Sequence, residues 1–149
     1  MKGKRTVLDV IFNMLSPKIE VYVAPDVFTF SGAAKTLSLR TTLYVKHVDG
    51  EFKILGVGES FQGAESCEKV DLFEPPRAEL RTLDRFGCLE AFFRFAFVKI
   101  ADRRVMVMIR PTVVIHGAHS LSSRVAGYEK PILNMAAESA GALSVKFKD

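Results

Sequence analysis

His116 and His119 stand three residues apart, a spacing that would place two imidazoles on one face of a helix for a metal ion. They fall instead where a long apolar run gives way to Gly117–Ala118, at the end of a strand, and no third ligand stands near them. They read as a solvated or backbone-bonded pair. Ser120, Ser122 and Ser123 follow, without the glycine pattern that would frame a hydrolase nucleophile, so helix capping is their expected role. Glu20, Asp26, Glu79 and Asp84 are the carboxylates that could share two metal ions in hydrolysis. The strand ending Val114–Ile115–His116 offers no acid to join them, and they read as surface charges. Gly56 and Gly58 precede no helix carrying Lys–Ser/Thr, so they read as a turn rather than a phosphate loop. Cys67 and Cys88 lack CxxC spacing and read as reduced thiols of a cytosolic protein. No catalytic residue, cofactor or metal ligand is assigned.

The chain has 149 residues, 48% of them hydrophobic and 26% charged, which suits one globular domain with a real core. Its formal charge of +4 favours an acidic surface without demanding nucleic acid. No zinc pattern, dense basic stripe or RNA-binding aromatic motif is present. No apolar run is long and uncharged enough to span a bilayer; residues 86–100 come closest, and Arg94 and Lys99 interrupt them.

The elements that would position these residues are legible as periodicities. Residues 19–23 and 27–30 read as strands around the turn signal Pro25–Asp26, and 37–47 as one long third strand. Asp49–Gly50 signals a hairpin, with a short strand over 52–58 after it. Residues 62–69 read as loop or short helix, and 70–76 as an extended connector, because Pro75 and Pro76 forbid regular pairing. From Leu83 the apolar residues Phe86, Leu89, Phe93, Ala96, Phe97 and Ile100 recur at helical spacing. That helix is apolar nearly all round and must be heavily buried or carry a partner. Phe86, Leu89, Phe93 and Phe97 are expected to face the sheet, leaving Phe92 and Phe95 as a possible interface. Residues 105–116 are apolar almost without alternation, as in a strand covered on both faces. A helix over 128–140 with Tyr128, Ile132, Met135 and Ala136 on its apolar face follows. Gly141 ends it, and Leu143, Val145 and Phe147 alternate as a closing strand. Strand, crossover helix and strand make a parallel unit.

That closing unit carries a resemblance. Pro111–Thr112–Val113–Val114–Ile115–His116, a Ser-containing loop, a helix ending Ala136–Ala137–Glu138–Ser139–Ala140–Gly141–Ala142 and the strand Leu143–Ser144–Val145 resemble the first actin-fold subdomain of MreB, the bacterial rod-shape-determining actin homologue. Leu55–Gly56–Val57–Gly58–Glu59 resembles the family's "AVGEEA" element. Phe73–Glu74–Pro75–Pro76 with Leu83–Asp84 resembles its "RP…DF" entry to the first long helix. The resemblance implies an α/β domain of the actin-like, ribonuclease-H-like type over residues 17–149, with a mixed sheet: an antiparallel meander, then β-α-β-α-β. In that family a "DLGT" segment forms the phosphate-binding hairpin, its Asp organising Mg²⁺. Here Tyr22–Val23–Ala24–Pro25 stands in its place, Tyr22 at the Asp position and Ala24 at the Gly position, and Pro25 removes a backbone donor. The family's second half, with its own phosphate hairpin, has no counterpart in the sequence. The resemblance therefore implies a chain that does not hydrolyse ATP.

Residues 1–16 are unlike the rest. At helical spacing Leu8, Ile11, Phe12 and Leu15 share a broad apolar face, while Lys2 and Arg5 lie opposite and Lys4 can snorkel from near the start. So short a helix needs its apolar face buried, either in lipid or on its own domain. Membrane-associating N-terminal helices in some MreB proteins favour lipid, with Lys2, Lys4 and Arg5 toward an anionic surface. The functional expectation is a non-enzymatic accessory or scaffold protein, cytoplasmic and peripheral at the inner face of the bacterial membrane, in cell-shape determination, with a protein partner or a second copy possible and no nucleic acid. The alternatives are a metal-dependent nuclease of the ribonuclease-H-like fold, which requires Glu20, Glu79 and Asp84 to cluster, and an adaptor completing a larger actin-fold complex through the Phe-rich helix.

Overall fold

A computed structural model describes residues 17–58, 67–74, 83–100 and 110–148. The amphipathic segment with Lys2, Lys4, Arg5, Leu8, Ile11, Phe12 and Leu15, the carboxylate Glu79, and residues 105–109 of the apolar run lie outside them. The central strand is β1 (Lys18–Val23). It pairs antiparallel with β2 (Val27–Ser31) on one side and parallel with β7 (Thr112–His116) on the other. Strand β3 (Thr36–Arg40) extends the antiparallel side, and β8 (Ser144–Lys148) joins β7 in parallel. The five-stranded order is β3-β2-β1-β7-β8, a mixed sheet as the resemblance implies. A second, three-stranded sheet sets β4 (Thr42–Val48) between β5 (Glu51–Val57) and β6 (Glu68–Asp71).

The expected long strand over 37–47 is two strands in two sheets, broken at Thr41. The alternation Leu37, Leu39, Thr41, Leu43, Val45 carries straight through the break, which is why it reads as one strand. Only Thr41 is polar at an inward position, and it is buried. Its N–H donates to Asp26 O at 3.1 Å, its hydroxyl to Pro25 O at 2.8 Å, and its carbonyl accepts from Leu72 N at 2.9 Å. A buried hydroxyl needs such partners, and here they turn the chain from one sheet into the other. The hairpin at Asp49–Gly50 forms as expected, with both residues at positive φ (52° and 81°), the geometry of a primed turn. Residues 68–71, read as the end of a loop or short helix and the start of a connector, form β6. Polar on one side, it shows only Val70 buried and so carries too little apolar pattern to be recognised.

Helix α1 (Arg85–Ile100) packs along the inner face of the five-stranded sheet. Asp84 starts it, its Oδ1 accepting from Gly87 N at 2.9 Å, as an N-cap does. Phe28 and Phe30 of β2 meet the helix edge-on: Phe28 with Phe92 at 5.5 Å and 89°, Phe30 with Phe93 at 5.9 Å and 87°, Phe30 with Phe97 at 6.3 Å and 85°. These are favoured aromatic geometries. Phe92 is therefore core, 0% exposed, and offers no contact surface. The helix is wedged between the sheet, strand β5 and a neighbouring helix, so residues that helical spacing puts on another face are buried too. Phe95 is half-buried against the core, with Lys99 Nζ 5.5 Å from its ring centre.

After β7, a 3₁₀ turn (Ala118–Leu121) and a one-turn helix α2 (Ser122–Val125) lead to α3 (Glu129–Ser139). The caps expected from Ser122 and Ser123 do not form. Ser122 Oγ donates back to His119 O at 2.7 Å, and Tyr128 begins α3 without a side-chain cap. The buried face of α3 is Leu133, Ala136 and Ala137; Tyr128 and Met135 are 65% and 56% exposed. Small alanines let α3 approach α1 closely, and that contact, rather than the largest apolar side chains, sets its facing. Gly141 ends the helix at φ 121°. Val113, Val114 and Ile115 of β7 are all buried, Val114 on the outer side between Glu20 of β1 and Lys146 of β8.

Candidate functional site

The hairpin between β1 and β2 is where the resemblance places a phosphate cradle. Such a cradle needs backbone N–H groups turned outward. In this hairpin Ala24 N donates inward to Val27 O at 3.1 Å, and Pro25 has no N–H to offer. Thr41 anchors both Pro25 O and Asp26 O, so the tip is held closed. Asp26 lines a polar cleft of about 640 Å³ between the two sheets, together with Ser38, Arg40, Thr42, Lys69 and Asp71. An anion arriving at the hairpin would meet one spent donor, one missing donor and an acid.

Tyr22, at the position where the resemblance expects the Mg²⁺-organising Asp, turns to the outer face of the sheet. Its ring stacks on His116, the residue beside it in β7, at 4.6 Å and 11°. His116 Nε2 lies 3.3 Å from Glu20 Oε1, and Lys18 Nζ is 3.8 Å from the same oxygen. The hydrogen bond from His116 holds the Glu20 carboxyl below the usual glutamate range. Partial burial opposes this, and the charges of Lys18, His116 and Lys148 add to it. Ser120 Oγ donates to Val23 O at 3.1 Å, fastening the turn after β7 to the end of β1. Gly117 there has φ 76°, and a side chain would meet Val23 O at 3.0 Å, so only glycine suits the position.

The sequence candidates separate. His116 joins Glu20 on the sheet, whereas His119 is exposed in the 3₁₀ turn and contributes its carbonyl to Ser122. His47 is exposed, its ring 4.9 Å from Phe52. Asp84 caps α1. Among the described residues no three of His, Cys, Asp and Glu come together in a group able to hold a metal ion; Glu79, the third member of the cluster a nuclease requires, lies outside them. Cys88 is buried, and burial together with the nearby Asp84 pushes its thiol up to about 11; Cys67 is half-buried. Among the described residues no helix is long and apolar enough to cross a membrane. Thr41 and the Tyr22–His116 stack were missed by sequence reasoning. The signal for Thr41 is a lone polar residue at an inward strand position; the stack joins residues too far apart in the chain to be paired without the topology.

No family model matches the sequence, and no curated protein matches it. Among solved structures, MreB5 of Spiroplasma citri bound to ADP superposes with a TM-score of 0.59 at 13% identity, over 90% of this chain and 38% of that one. MreB5 of Spiroplasma citri bound to AMPPNP superposes with a TM-score of 0.57 at 11% identity, over the same shares. The chain spans under two fifths of the length of these neighbours. At such identities the likeness shows the fold alone, and the fold is the actin-like fold of MreB.

Proposed function

We propose that this chain is a non-enzymatic accessory or scaffold protein that uses an MreB-like actin fold without a nucleotide, at the inner face of a bacterial membrane, in cell-shape determination. The observation that carries the first half is the closed β1–β2 hairpin. MreB5 holds ADP or AMPPNP. The hairpin here does not fit such a phosphate: Ala24 N is spent on Val27 O, Pro25 lacks an N–H, and Tyr22 replaces the family's carboxylate and stacks on His116. Protein that has been incubated with Mg²⁺–ATP should release no phosphate above a buffer control.

The membrane half rests on residues 1–16, whose apolar residues share one face at helical spacing with Lys2 and Arg5 opposite and Lys4 near the start. Flotation with anionic vesicles tests it. The intact chain should float, and a version carrying Ile11→Glu with Phe12→Glu should stay at the bottom. An intact chain that stays down at low salt contradicts the membrane assignment.

A further inference from the structure

Helices α1 and α3 pack against each other and against the same side of the five-stranded sheet. Parallel strands such as β1, β7 and β8 are ordinarily covered on both sides. The outer side here presents Lys18, Lys146 and Lys148, all exposed, with Tyr22 46% exposed beside them. The register fixes this grouping: Lys146 lies beside Val114 and Lys148 beside His116, while Glu20 and Tyr22 flank the same two residues from β1. Lys18 Nζ lies 3.8 Å from Glu20 Oε1, and Glu20 is the carboxylate among these lysines.

We infer that this outer face of β1, β7 and β8 is a second contact with an anionic lipid surface, an inference that rests on the membrane reading above. Two features select lipid. The three lysines outnumber the single acid on a sheet face, which suits a plane of negative head groups. Only Pro17 separates the segment 1–16 from Lys18 in the sequence, so the two proposed contacts are adjacent along the chain. Tyr22 adds an amphipathic ring of the kind that sits at a membrane interface. A lysine near an anionic leaflet contributes roughly fivefold to partitioning, so three acting together contribute on the order of a hundredfold. That contribution fades with salt as the Debye length shortens.

The test uses the full chain and vesicles of phosphatidylglycerol mixed with phosphatidylcholine. One variant carries Lys18→Gln, Lys146→Gln and Lys148→Gln; a second carries Lys35→Gln, Lys53→Gln and Lys69→Gln, removing the same charge from exposed positions elsewhere. Circular dichroism verifies that both are folded. The first variant should lose on the order of a hundredfold in partitioning, and the second should bind within about threefold of the unaltered chain. Equal losses in the two variants overturn the inference in favour of net charge alone. Unaltered binding by the first variant overturns it while leaving the membrane reading intact, whereas an unaltered chain that never binds vesicles overturns both. Poly-glutamate serves as the remaining probe. If the first variant loses poly-glutamate binding while vesicle binding is unchanged, the face belongs to an acidic protein partner, and the lipid assignment is wrong.

Discussion

The two faces of the five-stranded sheet are built on opposite plans. The inner face carries Val21, Phe28, Phe30 and Ile115 against Phe92, Phe93 and Phe97 of α1, all fully buried. The outer face, one residue out of phase on the same strands, carries Lys18, Glu20, Tyr22 and His116, tied by a stacked pair and long polar contacts. Strand alternation alone generates the difference. Stability resides in the inner face, where aromatic edges and faces fit together and water is excluded. The outer face adds little to stability and is free to carry charge. Functional change in this chain should therefore be separable from folding, provided that substitutions keep to the outer side.

The sharpest way to break this comparison is to empty the inner face. Phe93→Ala should destabilise by about 3–5 kcal/mol, measured by urea denaturation. Phe92→Ala should do the same, because Phe92 meets both Phe28 and Phe30; a mild effect there would place it outside the core. Thr41→Val comes next, at about 1–3 kcal/mol, since it leaves Pro25 O without the hydroxyl that joins the hairpin to the β3–β4 break. A loss confined to thermal stability, with the secondary structure unchanged, would match that role.

The outer face should respond to acid rather than to truncation. Because Glu20 is held below its usual range in the folded chain, its contribution is present above the ordinary glutamate pKa of about 4.3 and disappears as pH falls through the lowered value. Glu20→Gln should remove that contribution at neutral pH and so flatten the acid limb of a melting-temperature profile, the variant and the unaltered chain converging in acid. An unchanged acid limb would remove Glu20 from the outer-face network. The smallest effect is expected for Tyr22→Ala, within about 0.5 kcal/mol as for most surface changes. Cys88, with its thiol raised to about 11 by burial and the nearby Asp84, should resist alkylation at neutral pH in the folded chain while Cys67 reacts.

Periodicity revealed the Phe-rich helix, the apolar strand β7, the Asp49–Gly50 hairpin and the parallel closing unit, because each is a local pattern with a local cause. It missed what depends on neighbours distant in sequence. Phe92 is buried because the chain closes around α1 on more than one side, and Ala136 and Ala137 are chosen over Tyr128 and Met135 because α1 lies close by. The break at Thr41 is invisible in alternation and becomes evident only from the partners its polar atoms find. Of the candidate site, the missing donor of Pro25 was legible in the sequence, while the Ala24 N–H bond to Val27 O was not. The stack that occupies Tyr22 was not, since it depends on β1 and β7 being neighbours.

The central claim is an actin-like fold whose first hairpin does not hold a nucleotide, and calorimetric titration of the full chain with Mg²⁺–ATP tests it most directly. The expected result is no saturable heat up to millimolar nucleotide, in the unaltered chain and in Tyr22→Asp alike, because Pro25 and the inward Ala24 N–H remain. Saturable binding of the unaltered chain in the micromolar range would contradict it.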